Sequence, residues 1–235
     1  MKTTSINDRA LVRLVSETRH KPPVLRGLVD SDEEAAILAE LEGETSARLI
    51  AEREGTSALD RRELAFARRA NDLKIYGQSH INAAFTYTRP GGNRFNGEAR
   101  GAWYCSWDVL TSAEEVGFHR TRELAYLGLY EEEAQYVELL ADFIGDFPDL
   151  HDDPMHPALD PDPHKGYPQG QLLAQNLRRE GHRGLIYPSV RHTGIRQTGG
   201  RCFVAFDPSV VQNVRPGASW KLTWNGRPEF TVAGM

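Results

Sequence analysis

TRPGGNRFNGEARGAWYCSWDVLTSAEEVGFH, residues 88–119, decides how the chain is read. Glycines at 91, 92, 97 and 101 separate segments rich in aromatic residues, among them Phe95, Trp103, Tyr104 and Trp107. Aromatic side chains favour strands and glycines punctuate them, so strand–loop–strand is expected, with AAFTYT (83–88) and GAWYCSW (101–107) as the strands. A helix should follow from about Ser112, capped by Thr111 or Ser112, with Glu114 and Glu115 near the positive end of its dipole. The block thus sets Arg94 in a Gly-rich loop, Tyr104 on the next strand and Glu115 at the start of a helix. A second block, GHRGLIYPSVRHTG (181–194), ends a strand in Ser189 just after a proline. Loops and strand ends are where ligand sites concentrate. A plainer alternative stays open on these residues alone: Arg94 a loop cation, Tyr104 a core aromatic, Glu115 a dipole-stabilising residue and Ser189 a turn former.

Working outward, RALVRLV (9–15) suits a buried strand, stopped by Pro22-Pro23. From Asp30 to about Asn71 the pattern turns helical. Ser31 precedes Glu34 by three residues, the capping-box spacing, and Ile37, Leu38 and Leu41 form a stripe before Gly43. Leu49-Ile50, Leu59, Leu64 and Phe66 continue helical segments among many charges. YVELLADF, within 131–145, reads equally as helix or strand, and 146–168, with its Pro, Asp and His residues, reads as a long surface loop. QGQLLAQNLRREG (169–181) is a helix ended by Gly181, followed by strand GLIYPS, a loop at 191–200, strand RCFVAF (201–206) and a hairpin turning at Asn225-Gly226. Strands and helices alternate irregularly, which favours α+β over a doubly wound sheet. One domain over 1–235 with a mainly helical insertion at about 30–75 is the simplest division.

The chain has 235 residues, 40% hydrophobic and 26% charged, the composition of a globular protein able to bury a core without staples. Twenty-eight basic against 33 acidic residues give −5, which argues against direct nucleic-acid binding. No apolar run approaches the ~20 residues of a membrane span, and Asp8, Arg9 and Arg13 break the N-terminal apolar stretch, a poor signal peptide. A cytoplasmic location is therefore expected. Two distant cysteines, Cys105 and Cys202, form neither a disulfide framework nor a zinc motif. The chain lacks GxSxG, GxxxxGK[ST], HExxH and a helix-opening GxGxxG. His151, His156 and His164 fit no tight ligand set, so no metal is expected.

These residues resemble the RES domain, a family named for an Arg, a Glu and a Ser. Its GRWN-type loop is matched by NRFN (93–96), its tyrosine strand by GAWYCS (101–106), its helix by TSAEEVGFH (111–119) and its serine strand by GLIYPSV (184–190). RLVSETR (13–19) looks like the arginine-bearing strand that opens many members. Phe95 stands where tryptophan is commoner, and the helical stretch at 30–75 is longer than in compact members.

The resemblance implies an ADP-ribosyltransferase-like split sheet around an NAD⁺ cleft. It implies a toxin of a bacterial toxin–antitoxin pair that cleaves NAD⁺ by phosphorolysis or hydrolysis and so depletes it. Family alternatives are ADP-ribosyl transfer to a specific protein, or a non-catalytic interaction protein of the same fold. The partner it implies is an Xre-like helix-turn-helix antitoxin, and a homodimer is compatible with it. Carried over by motif, Arg94, Tyr104, Glu115 and Ser189 take the catalytic roles, and Arg13, Phe95 and Asn96 bind NAD⁺.

The chemistry suits the residue types. Breaking the nicotinamide–ribose bond passes through an oxocarbenium-like centre, which a carboxylate stabilises. An arginine fork fits pyrophosphate, and a tyrosine face fits a flat ring. Glu114 points about 100° away from Glu115 on a helix, so only one of them faces the cleft, and the family pattern selects Glu115. His119, one turn after Glu115, either assists the site or pairs with its carboxylate.

Overall fold

The computed structural model describes residues 1–20, 45–64, 76–191 and 199–235. The expected capping box at Ser31, the stripe Ile37–Leu41, the Pro22-Pro23 stop and Phe66 lie outside the described residues. β1 (Lys2–Ser16) leads into a one-turn helix, α1 (Glu17–His20). The described part of the expected helical insertion holds α2 (Ala47–Glu54) and α3 (Arg61–Leu64); Ala51 and Leu64 on them, and Leu59 in the turn between, are buried.

α4 (Gln78–Thr86) occupies the ground where the first strand of the pair was expected. Ile81, Ala84 and Phe85 fall on one helical face and are buried, so a period of 3.6 overrides the β-propensity of Phe-Thr-Tyr-Thr. The second strand forms as β2 (Trp103–Ser106). α5 (Val109–Leu127) starts three residues earlier than expected because its cap is Asp108, whose carboxylate accepts the Thr111 N–H at 2.9 Å.

β3 (Glu131–Asp149) settles the ambiguous segment as a 19-residue strand. The surface loop expected at 146–168 is shorter and more ordered than that. β3 runs on to Asp149, two 3₁₀ turns follow at Leu150–Asp152 and Pro157–Leu159, and α6 (Pro163–Arg179) opens six residues before the expected start. Pro163 suits that opening, since a missing N–H costs nothing in the first turn. β4 (Gly184–Pro188), β5 (Arg201–Ala205) and the hairpin β6 (Gln212–Asn225) and β7 (Phe230–Gly234) stand where the sequence put them.

The architecture is α+β. Among the described residues, seven strands run in the order β1-β2-β5-β4-β3-β6-β7, and β1 also pairs with β3. Among the pairings of these strands, β3–β4 is parallel and the others are antiparallel. Two antiparallel blocks result: a long one of β1, β3, β6 and β7, and a short one of β2, β5 and β4. They join through single residue pairs, Val12–Ser106 and Asp149–Ile186. Trp103, Phe143, Phe147 and Phe203 fill the largest buried cluster, and Phe95, Leu150, Leu177 and Tyr187 fill a second under α6. Among the described residues, no helix is long and apolar enough to cross a membrane.

Arg100 ties the helical segment to this frame. Its buried guanidinium donates to Glu63 at 2.9 and 2.5 Å and to the carbonyls of Ala58 (3.0 Å) and Phe206 (2.9 Å). That clamp fixes the end of the Gly-rich loop.

Candidate active site

The Gly-rich loop folds back on itself between Gly92 and Asn96, where the Asn93 N–H donates to the Asn96 carbonyl at 2.8 Å. Gly92 has φ +69°, and a Cβ there would meet Gly97 backbone atoms at 2.8 and 2.9 Å, so only glycine fits the turn. Gln171 of α6 holds the loop from outside, donating to the carbonyls of Gly91 (2.8 Å) and Asn93 (3.0 Å).

Arg94 therefore points inward and is 6% exposed. Its Nη1 donates to the carbonyls of Ala158 (2.6 Å) and Asp160 (2.8 Å), and its guanidinium lies 5.4 Å from the Tyr167 ring centre. Its Nη2 is buried without a hydrogen-bond partner among the described residues. Gly166 of α6 makes this seat possible, because a Cβ would stand 2.6 Å from Arg94 Nη1 and collide with the Asp160 carbonyl.

Glu115 and Ser189 meet. The Ser189 hydroxyl donates to Glu115 Oε1 at 2.6 Å and accepts the Arg191 N–H at 3.2 Å, and its own N–H donates to the Gly200 carbonyl at 2.7 Å. Both hydrogen-bonding roles of the hydroxyl are filled, so Ser189 orients the carboxylate. Burial pushes the Glu115 carboxyl above its ordinary value, opposed by the Ser189 hydrogen bond and by the charges of Arg191 and Arg94. Its side chain keeps 27% of its surface exposed, enough for a ligand to reach. Glu114, 1% exposed, is packed into the protein instead.

The remaining expected site residues form a support. The Tyr104 hydroxyl donates to Asn96 Oδ1 (2.8 Å) and accepts the Phe95 N–H (3.0 Å), so it braces the loop from the neighbouring strand. Asn96 Nδ2 donates to the carbonyls of Gly97 and Arg100 at 2.9 and 3.1 Å. The Phe95 ring is buried edge-on against Tyr187, centroids 4.7 Å apart. Arg13 donates to the Tyr104 carbonyl at 3.1 Å and lies 5.0 Å from the Trp103 ring centre, behind the tyrosine strand. Phe95, Asn96 and Tyr104 thus touch one another, while Glu115 and Ser189 form a separate contact pair.

Sequence reasoning missed the residues that join these groups. Arg191, 4% exposed, lies with its Nε 3.8 Å from Glu115 Oε2, its Nη1 on the Pro161 carbonyl (2.6 Å) and its guanidinium 3.5 Å from the Phe118 ring centre. Tyr167, whose ring centre lies 5.4 Å from the Arg94 guanidinium, is also near enough to Arg191 to act on its charge. Arg191 follows Ser189 by two residues in the quoted block, but nothing local distinguishes it from the neighbouring basic residues. His119 does not pair with the Glu115 carboxylate: its Nδ1 is 3.1 Å from Arg89 Nη1.

The histidine-rich segment is structural where it is described. His151 Nδ1 pairs with Asp149 at 2.6 Å, and His156 Nδ1 accepts the Ala158 N–H at 3.1 Å. Among the described residues, no group of three or more His, Cys, Asp or Glu is placed to hold a metal ion.

The arrangement is one carboxylate with the Arg191 guanidinium beside it and the charge of Arg94 acting on it, and among the described residues each of these buried guanidiniums has an N–H left without a hydrogen bond, Arg94 Nη2 and Arg191 Nε. Such N–H groups are costly unless a ligand meets them, and planar anions such as phosphates match their geometry. No curated protein matches the chain. The family model of the RES domain matches residues 67–225, which include the Gly-rich loop, Tyr104, Glu115 and Ser189. The chain belongs to the RES domain family.

Proposed function

We propose that the protein cleaves the nicotinamide–ribose bond of NAD⁺, and that it acts in the cytoplasm as the toxin of a toxin–antitoxin pair with an Xre-like helix-turn-helix protein as partner. The observation that carries the reading is the Glu115 carboxylate, held by Ser189, with the Arg191 guanidinium beside it and the charge of Arg94 acting on it. Two guanidiniums with unmet N–H groups suit a pyrophosphate. One partly exposed carboxylate suits the cation that forms at the ribose carbon.

The step balances without an acid. The C–N bond breaks and its electron pair leaves with the ring nitrogen, which turns from the cationic pyridinium into neutral nicotinamide. The positive charge moves to the ribose carbon and its ring oxygen, where ionised Glu115 stabilises it. An acceptor oxygen from water or phosphate then bonds to that carbon, and its proton passes to solvent. Ser189 keeps Glu115 in one orientation throughout, and the Tyr104–Asn96 brace holds the Arg94 loop. Fixed charges of this kind need no reorganisation as the transition state forms.

Expression in a bacterium lacking the partner tests the reading. Growth arrest with a fall in cellular NAD⁺, absent in Glu115→Gln, is the expected result. Arrest with NAD⁺ unchanged would move the activity to modification of a protein, and harmless expression of folded protein would remove the enzyme reading.

A further inference from the structure

Arg89 lies in the turn after α4, where its carbonyl accepts the Gly92 N–H at 2.8 Å and Glu98 Oε1 accepts the Gly91 N–H at 2.5 Å. Its Nη1 is 3.1 Å from Nδ1 of His119. A guanidinium has donors and no acceptor and stays charged, so this contact exists only if the imidazole offers Nδ1 as a lone pair. The ring proton is then on Nε2. Arg89 hydrogen-bonds the ring at Nδ1, and the ring packs edge-on against Phe118, centroids 5.5 Å apart. His119 stands one helical turn after Glu115, on the same stripe of α5.

From this geometry we infer that His119 is a neutral hydrogen-bond donor of the ligand site, its Nε2–H held toward the Glu115 side of α5 by Arg89 to meet a ribose or phosphate oxygen, and that it is not a general base. Arg89 is its positioning residue. The choice of oxygen rests on the NAD⁺ reading above; the tautomer does not.

The charges around the ring agree. Arg89 faces it from the turn, Arg191 from the end of β4, Arg94 from the Gly-rich loop and Arg122 from its own helix, with Glu115 one turn before. Burial and those four cations push the imidazole down to about 3, so the ring is neutral near neutral pH, and the Arg89 contact decides which nitrogen keeps the proton. A neutral donor among cations adds a directed contact without further repulsion between like charges. It also separates an oxygen acceptor from a group that offers only donors, a distinction that another arginine would make less sharply.

Long-range ¹H–¹⁵N correlation on the full-length protein reads the tautomer directly, with the His119 signals assigned by their loss in His119→Gln. Expected is the Nε2–H pattern unchanged from pH 5.5 to 8. In Arg89→Gln the titration midpoint should rise toward the ordinary value near 6.5. ADP-ribose, which is not consumed, is the binding probe. It should shift the His119 Nε2 signal in the parent, bind His119→Gln within about 3-fold of the parent, and bind His119→Leu about 10-fold more weakly, the loss of one hydrogen bond.

An Nδ1–H pattern or a midpoint above 5.5 in the parent overturns the tautomer. Parent-like binding by folded His119→Leu, or ADP-ribose binding with His119 unshifted, overturns the donor role alone. Failure of the parent to bind ADP-ribose at all overturns the donor role together with the NAD⁺ reading.

Discussion

Replacing Gly166 by alanine tests whether Arg94 acts through its placement. Gly166 is the fourth residue of α6, and its backbone runs past the hydrogen bond that joins Arg94 Nη1 to the Asp160 carbonyl. A Cβ would stand 2.6 Å from Nη1, where ordinary contact begins at 3.4 Å, and would also collide with the Asp160 carbonyl. The guanidinium must retreat by about 0.8 Å, the difference between those two distances, and its anchor must move as well.

Helix propensity acts the other way, since alanine is favoured over glycine by about 1 kcal/mol in a helix interior. Overpacking a filled site costs about 1–3 kcal/mol. The net is a loss of about 1 kcal/mol, which lowers the melting temperature by about 2–4 °C in a chain of this size. The effect on rate is larger, because a displacement near 1 Å costs about 10²-fold. Nicotinamide release from NAD⁺ and a thermal melt on the same preparation check both numbers. Gly234→Ala, where a Cβ would come no closer to a neighbour than 3.9 Å, from a Trp220 ring carbon, should leave both unchanged. A Gly166→Ala protein with parental melting and full activity would refute the claim that the tight seat of Arg94 matters.

Glu115→Gln keeps the volume and removes the charge, so activity should fall about 10²–10³-fold in steady-state assays, the loss typical of one electrostatic contact to the transition state. Its melting temperature at pH 7 should match or exceed the parent. The folded carboxyl is raised above its unfolded value, so its ionisation opposes folding once the pH rises through the folded value, and the amide has no such cost. Ser189→Ala should move the acid limb of the pH–rate profile to higher pH, because the hydroxyl is among the groups holding that carboxyl down. His119 gives the opposite sign in stability. Its folded value near 3 lies below the unfolded 6.5, so the unfolded chain takes up a proton first and the parent loses stability as pH falls between those values. Denaturant melts across that range should show a shallower decline in His119→Gln.

The fold class was legible because the strands that decide it are apolar and bounded by glycine or proline, as in GLIYP and RCFVA. AAFTYT misled because its aromatic residues carry β-propensity, while the helical spacing of Ile81, Ala84 and Phe85 shows only when the window starts earlier. β3 was ambiguous because its partners cover it unevenly along 19 residues, and a pattern whose burial changes along its length fits neither template well. At the site, the contact of Glu115 with Ser189 spans 74 residues and was reachable only through the family motif. Arg191 escaped because what makes it special is distant in sequence: Phe118 under its guanidinium and the Pro161 carbonyl. The role of Gly166 is likewise tertiary, since an isolated glycine in a helix signals only lowered propensity.

The central claim is that the site built from Arg94, Glu115, Ser189 and Arg191 breaks the nicotinamide–ribose bond. ¹H NMR of purified protein with NAD⁺ follows that bond directly, with and without phosphate, in the presence of EDTA and free of any bound partner protein. The account predicts free nicotinamide appearing mole for mole with NAD⁺ lost, and its near absence with Arg94→Ala and Glu115→Gln. NAD⁺ left intact over hours by folded parent protein, with no ADP-ribose attached to any added protein, would contradict it.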